Sequence, residues 1–126
     1  SPGREEYTDI RFRRRGHVTT DATGRPVTRD ALILDSSQAS LHDDVQARPP
    51  EVAPFDLPAG ELLRLRVFVD RSIVEVFAGG RQCVALRVYP GREDSIGVSL
   101  RAQGREARLR SLDAWQMKSI YETAAD

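Results

Sequence analysis

Few side chains in this sequence have the type and spacing to do chemistry, and Glu75 stands out among them. It sits inside "RVFVDRSIVEVFAGGRQCVALRVYP", residues 66–90, a stretch dense in β-branched and aromatic residues. A carboxylate there can serve as a general acid or base, bind a polar ligand, or pair with a cation. Paired-carboxylate hydrolysis requires a second acid roughly 5–10 Å away across a cleft. A flat strand face with an arginine nearby does not supply one. A neighbouring arginine would also favour the ionised form, the wrong state for a general acid. The structural, charge-paired reading of Glu75 therefore leads.

The other candidates are weaker. His17 and His42 are accompanied by many serines but by no Gly-x-Ser-x-Gly elbow, so both read as exposed loop or strand-edge residues. His42, Asp43 and Asp44 form a short run that more often solvates a loop than holds a metal. Cys83 is the single cysteine, which excludes an internal disulfide and a thiolate cluster. Its apolar neighbours suggest an inert core thiol. No Gly-rich phosphate loop precedes a helix. The residues assign no catalytic, cofactor-binding or metal-ligating role, and no cofactor is expected.

The elements that must position Glu75 follow a period of two, which predicts an all-β domain. A chain of 126 residues is enough for one sizeable core. Residues 1–126 are expected to form a single β-sandwich of two antiparallel sheets, of the jelly-roll or concanavalin-like kind, ordered over about 5–121. "EYTDIRFRRR" reads as an opening strand with Ile10 and Phe12 on one face. "HVTTDATGRPVT" turns at "ATGR", and "DALILDSS" is a short strand around Leu32 and Leu34. Residues 36–60 carry four prolines and should be a long surface connection with short edge pieces. "ELLRLRVFVD", "SIVEVFA", "RQCVALRVYP", "DSIGVSLRA" and "EARLRSLDAWQMKSI" then read as five consecutive strands.

Two turns set the expected register. With Asp70 and Arg71 as one two-residue turn and Gly79 and Gly80 as another, Val69 faces Ser72 and Ala78 faces Arg81. Arg66 then lies opposite Glu75, and a cross-strand ion pair there contributes roughly 0.2–1 kcal/mol. Leu65, Val67, Val74, Val76, Cys83 and Ala85 would form the core side. The opposite side would carry Arg66, Phe68, Ile73, Glu75, Phe77, Val84, Leu86 and Val88. That side is too apolar to be fully wet and calls for a cover.

These residues resemble the C-terminal β-sandwich module of glycoside hydrolase family 32, the family of invertases, levanases, inulinases and other β-fructosidases. The resemblance rests on an Asp-x-Ser-x-x-Glu-x-Phe pattern at Asp70, Ser72, Glu75 and Phe77, and on a terminal Asp-Ala-Trp at Asp113, Ala114 and Trp115. It is strong over residues 61–121 and weaker over 5–60. It implies that the chemistry belongs to a separate five-bladed propeller preceding the sandwich. The propeller's Trp-Met-Asn-Asp-Pro-Asn-Gly-like, Arg-Asp-Pro and Glu-Cys motifs do not occur here. "TRDA" at residues 28–31 lacks the proline, and no glutamate precedes Cys83. No catalytic residue is carried over, and the chain alone is expected to be inactive.

The resemblance implies an accessory role in which Arg66, Asp70, Ser72, Glu75 and Phe77 are structural or interdomain residues. The expected partner is the propeller. Two alternatives remain: a fructan- or sucrose-type carbohydrate module contacting sugar through Trp115, Tyr121 and Tyr89, or a homodimerisation module. Trp115, near Leu112 and Met117, reads more readily as buried or at a domain contact than as a sugar platform. Eighteen arginines against one lysine, balanced to zero net charge, give no argument for nucleic acid or membrane. No apolar run approaches the roughly 18 residues of a membrane span. No signal peptide is legible, the start at Ser1 reads as a trimmed piece of something longer, and the compartment (secreted or cytoplasmic) is not legible.

Overall fold

The computed structural model describes residues 1–119. Six strands form two antiparallel sheets: β1 (Asp9–Thr20), β2 (Pro26–Asp35), β3 (Glu51–Pro54), β4 (Leu65–Asp70), β5 (Ile73–Ala78) and β6 (Gln82–Arg87). Sheet A has the order β1-β2-β3 and sheet B the order β4-β5-β6. The all-β sandwich expected from the period of two is present.

The first hairpin is longer than its sequence suggests. "HVTT" continues β1, and the short strand around Leu32 is the end of a ten-residue β2. Asp21 closes the turn: its carboxylate accepts the amides of Thr23 and Arg25 at 2.8 and 3.0 Å, while Gly24 takes φ +83°. Asx turns of this kind suit aspartate, and the left-handed position suits glycine. Between Arg13 and His17 the register slips, leaving Asp30 alone opposite Arg14, Arg15 and Gly16. Arg15 sits at φ +52° there, and its amide donates to the Asp30 carboxylate at 2.9 Å. Asp30 also takes the Leu57 amide at 3.1 Å and the Arg14 guanidinium at 2.7 Å. One carboxylate thus secures the bulge and the chain leaving β3.

The Pro-rich connection contributes β3 as a short edge piece, paired with the buried end of β2. Leu32 and Leu34 from β2 meet Val74, Val76, Ala78 and Val84 from the other sheet and Val88 just after β6, with Phe55, Leu57 and Ala39 closing the core. Full burial of each leucine contributes about 1.5–3 kcal/mol. Phe12 meets Phe55 edge-on at 6.1 Å.

Sheet B differs from its expected register in two ways. Asp70 pairs with Ile73, so the first turn consists of Arg71 and Ser72, with Arg71 at φ +52°. This moves the pairing by two residues and keeps every side chain on its face. In the second hairpin Gly79 and Gly80 both take positive φ, and the Arg81 amide reaches the Ala78 carbonyl at 3.0 Å. The ladder nevertheless resumes at Ala78 opposite Gln82, leaving Arg81 as an extra residue. A shift of one reverses the faces of β6. Val84, Leu86 and Val88 turn toward the core, and Cys83 and Ala85 turn to solvent. The larger aliphatic set wins the interior because it buries more apolar area. Leu65 and Val67, expected in the core, are exposed along with the whole of β4.

Two further expected strands are not formed. "DSIGVSLRA" and "EARLRSLDAWQMKSI" contain no strand among the described residues, and Ile96, Val98, Leu100, Leu109, Leu112 and Met117 are exposed. Their alternation says which sides a strand would show, but a strand also needs a partner's backbone. No helix of the described residues is long and apolar enough to cross a membrane.

Candidate functional site

The motif residues gather on the β4–β5 hairpin. Asp70 ends β4 in solvent, and Ser72 lies half-buried in the turn, where its carbonyl accepts the Val88 amide at 2.8 Å. Glu75 and Phe77 point from β5 to the side of sheet B that faces away from sheet A. Phe68 from β4 sits across from Glu75, and its ring meets that of Phe77 edge-on at 5.8 Å. Both rings remain more than a third exposed. Cys83 lies opposite Phe77 on the next strand, and Ala85 lies opposite Glu75.

Arg66 is not the direct partner of Glu75. It lies opposite Phe77, diagonal to the carboxylate, and Phe68 takes the position across from Glu75. The cause is the later turn, which slides β4 two residues along β5. On this side of the sheet Glu75 therefore stands at the centre, flanked by Phe68, Phe77, Ile73 and Ala85, with Arg66, Asp70 and Arg87 at the corners.

The arrangement offers little to a hydrolytic reaction. A shallow cleft of about 310 Å³ opens beside this face, lined by Ser36, Arg48, Glu51, Ile73, Ala85 and Arg87, and Glu75 does not line it. Among the described residues no three His, Cys, Asp or Glu side chains gather closely enough to hold a metal. His42 is exposed in the long loop and His17 is half-buried on β1. Tyr89 and Trp115 are both exposed, Trp115 at 79%, so it is neither a core residue nor in an internal contact. Tyr121 lies outside the described residues.

Sequence reasoning missed Glu6, which is buried to 1% exposure. Its carboxylate accepts the amides of Leu41 and Gly91 at 2.8 Å each, the Arg92 amide at 3.0 Å and the Ser95 hydroxyl at 2.7 Å. Burial opposes its ionisation, but the Ser95 hydroxyl and the three amides outweigh it and hold its pKa at about 2 instead of 4.5. Glu6 thereby binds two distant stretches of chain, around Leu41 and over residues 91–95, to one side chain. Its neighbours in "GREEY" carry no sign of this, because its partners are mostly backbone amides of remote loops.

The comparisons with known proteins bear on the whole chain. The profile described as Glycosyl hydrolases family 32 C terminal matches residues 1–116. The chain belongs to this family. An acid β-fructofuranosidase of Vicia faba is 37% identical over 124 residues, covering 94% of this chain and 18% of the bean protein. A cell wall isozyme of β-fructofuranosidase from Zea mays is 33% identical over 122 residues, covering 90% of this chain and 19% of the maize protein. β-Fructofuranosidase 1 of Zea mays is 46% identical over 67 residues, 49% of this chain. The chain thus spans about a fifth of the length of the curated relatives it matches along nearly its whole length. The family 32 C-terminal resemblance carried by Asp70, Ser72, Glu75 and Phe77 extends across the sandwich.

Proposed function

We propose that this chain is the non-catalytic C-terminal module of a family 32 β-fructofuranosidase, and that the outer side of sheet B packs on the catalytic propeller and stabilises it. The observation that carries the reading is the exposed edge-on pair of Phe68 and Phe77, bordered by Arg66, Asp70 and Glu75. Large aromatic side chains left in water on a sheet face, beside a central carboxylate and with charges at the corners, fit a surface that a partner covers. Similarity to β-fructofuranosidases along nearly the entire chain supplies the partner's class. Chemistry on fructosides then belongs to the propeller, and this module supplies rigidity.

The test compares one substitution in two settings. Phe77→Ser should cost about 1–3 kcal/mol more in the full enzyme than in the isolated chain, because only the enzyme covers the ring. Turnover of sucrose below the melting transition should survive. Equal costs in both settings would remove the interface from this side of the sheet. Native stability with abolished turnover would move Phe77 into the chemistry.

The exposed indole of Trp115 supports a second reading, in which the module binds fructan by itself. Calorimetric titration of the chain with levan and inulin oligosaccharides tests it. Binding lost in Trp115→Ala would establish that reading, and absence of binding would end it.

A further inference from the structure

Glu75 is half-buried in β5, the middle strand of sheet B, and points to the outer side. Phe68 lies across from it on β4 and Ala85 on β6, while Ile73 and Phe77 stand two residues away on β5 itself. None of these four carries a charge or a side-chain hydrogen-bond donor of ordinary strength. The cations of this side, Arg66 and Arg87, stand at opposite corners, each diagonal to Glu75. Side-chain roots at diagonal positions lie about 7–8 Å apart, against about 4.5–5.5 Å for direct partners.

Water solvates this carboxylate while the face is open. A partner that covers the face removes the water, and an ionised carboxylate without a counter-charge is then strongly destabilised. The same chain shows what a buried carboxylate requires. Glu6 is met by three backbone amides and a hydroxyl. The sheet neighbours of Glu75 offer no comparable set, because β5 is paired on both edges and spends its amides in the ladders.

We propose that the propeller surface covering this face presents a cationic side chain, an arginine or a lysine, to Glu75, seated among Phe68, Ile73, Phe77 and Ala85. The proposal rests on the outer side of sheet B being the docking side, and it adds the chemistry of the partner at the centre. A cation there neutralises the carboxylate where water is excluded and forms charge-assisted hydrogen bonds with it. The apolar neighbours suit the aliphatic stem of either side chain, and phenyl rings attract cations over their faces. Arg66 and Arg87, both exposed, keep to the rim of the covered area. A purely apolar partner surface would strand Glu75, and an acidic one would repel it.

Cys83 is exposed on the same side, opposite Phe77, so its alkylation reports opening of this interface. The quantity to follow is the rate in the full enzyme divided by the rate in the isolated chain with the same substitution. Glu75→Leu should raise this ratio at least about ten-fold, because it leaves the partner's cation buried and unpaired. Glu75→Gln, which keeps the shape and removes only the charge, should raise it at least about three-fold. The effect of Glu75→Leu should persist in a background of Arg66→Met and Arg87→Met. Its loss in that background would overturn the proposal, since an arginine of this chain would then be the partner. A ratio that stays level or falls in Glu75→Leu, with Cys83 protected in the unaltered enzyme, would overturn the cation and leave the docking side standing. Equal rates in the unaltered enzyme and the isolated chain would remove the docking side, and the cation with it.

Discussion

The Ser95 hydroxyl donates to the Glu6 carboxylate at 2.7 Å across 89 positions of sequence. This bond, with the amides of Leu41, Gly91 and Arg92, joins the N-terminal segment, the long loop after β2 and the chain leaving β6. A buried carboxylate with four donors is stable as an anion, and neutralising it leaves those donors poorly matched.

Glu6 should therefore shape the acid limb of the stability curve. Its folded pKa of about 2 lies below the ordinary 4.5, so its contribution is fully present above the ordinary value and fades as pH falls toward the folded one. Urea unfolding between about pH 5 and pH 2 should show stability falling with acid, and Glu6→Gln should flatten that slope. The substitution should also lower the urea midpoint at pH 7. An unchanged slope would show that other carboxylates set the acid response.

Gly79 should resist any side chain. It sits at φ +56°, and an added Cβ would stand 3.2 Å from Cζ of Phe55 in the core. The left-handed backbone alone costs an L-residue about 1–2 kcal/mol. Gly79→Ala should lose at least that much in denaturant unfolding, whereas Gly24→Ala, with open space around it, should show the backbone cost alone.

The core makes a larger prediction. Leu34 is fully buried at the junction of the two sheets. Leu34→Ala should destabilise the chain by about 2–5 kcal/mol in urea unfolding, with the spread set by how far the cavity collapses. Removing exposed Leu109 should change stability by no more than about 0.5 kcal/mol.

The strands that sequence reveals are those with dense β-branched runs. "SIVEVFA" predicts β5 and the burial of Val74 and Val76 directly. β6 is readable as a strand but not by face, because Arg81 enters the ladder as one extra residue after a turn whose glycines do take the expected positive φ. Pairing Arg66 with Glu75 fails for a similar reason: the pivot lies at Arg71 and Ser72, one position later than the charge pattern suggests. Alternation in "IGVSLR" and "RLRSLDAW" identifies faces without identifying partners. Glu6 and Asp30 were not legible, since hydrogen bonds from distant backbone amides leave no periodic trace. Membership in the family, by contrast, is readable from Asp70, Ser72, Glu75 and Phe77 together with Asp113, Ala114 and Trp115.

Cys83 gives the most direct test of the proposed interface. It is exposed, and it lies opposite Phe77 on the outer side of sheet B. Alkylation of this thiol can be followed peptide by peptide, in the isolated chain and in the full enzyme. The account predicts a free-thiol rate in the isolated chain and a rate at least about ten-fold lower in the enzyme, where the propeller covers the face. Equal rates in the two would contradict it, and the outer side of sheet B would then be open to solvent in the enzyme.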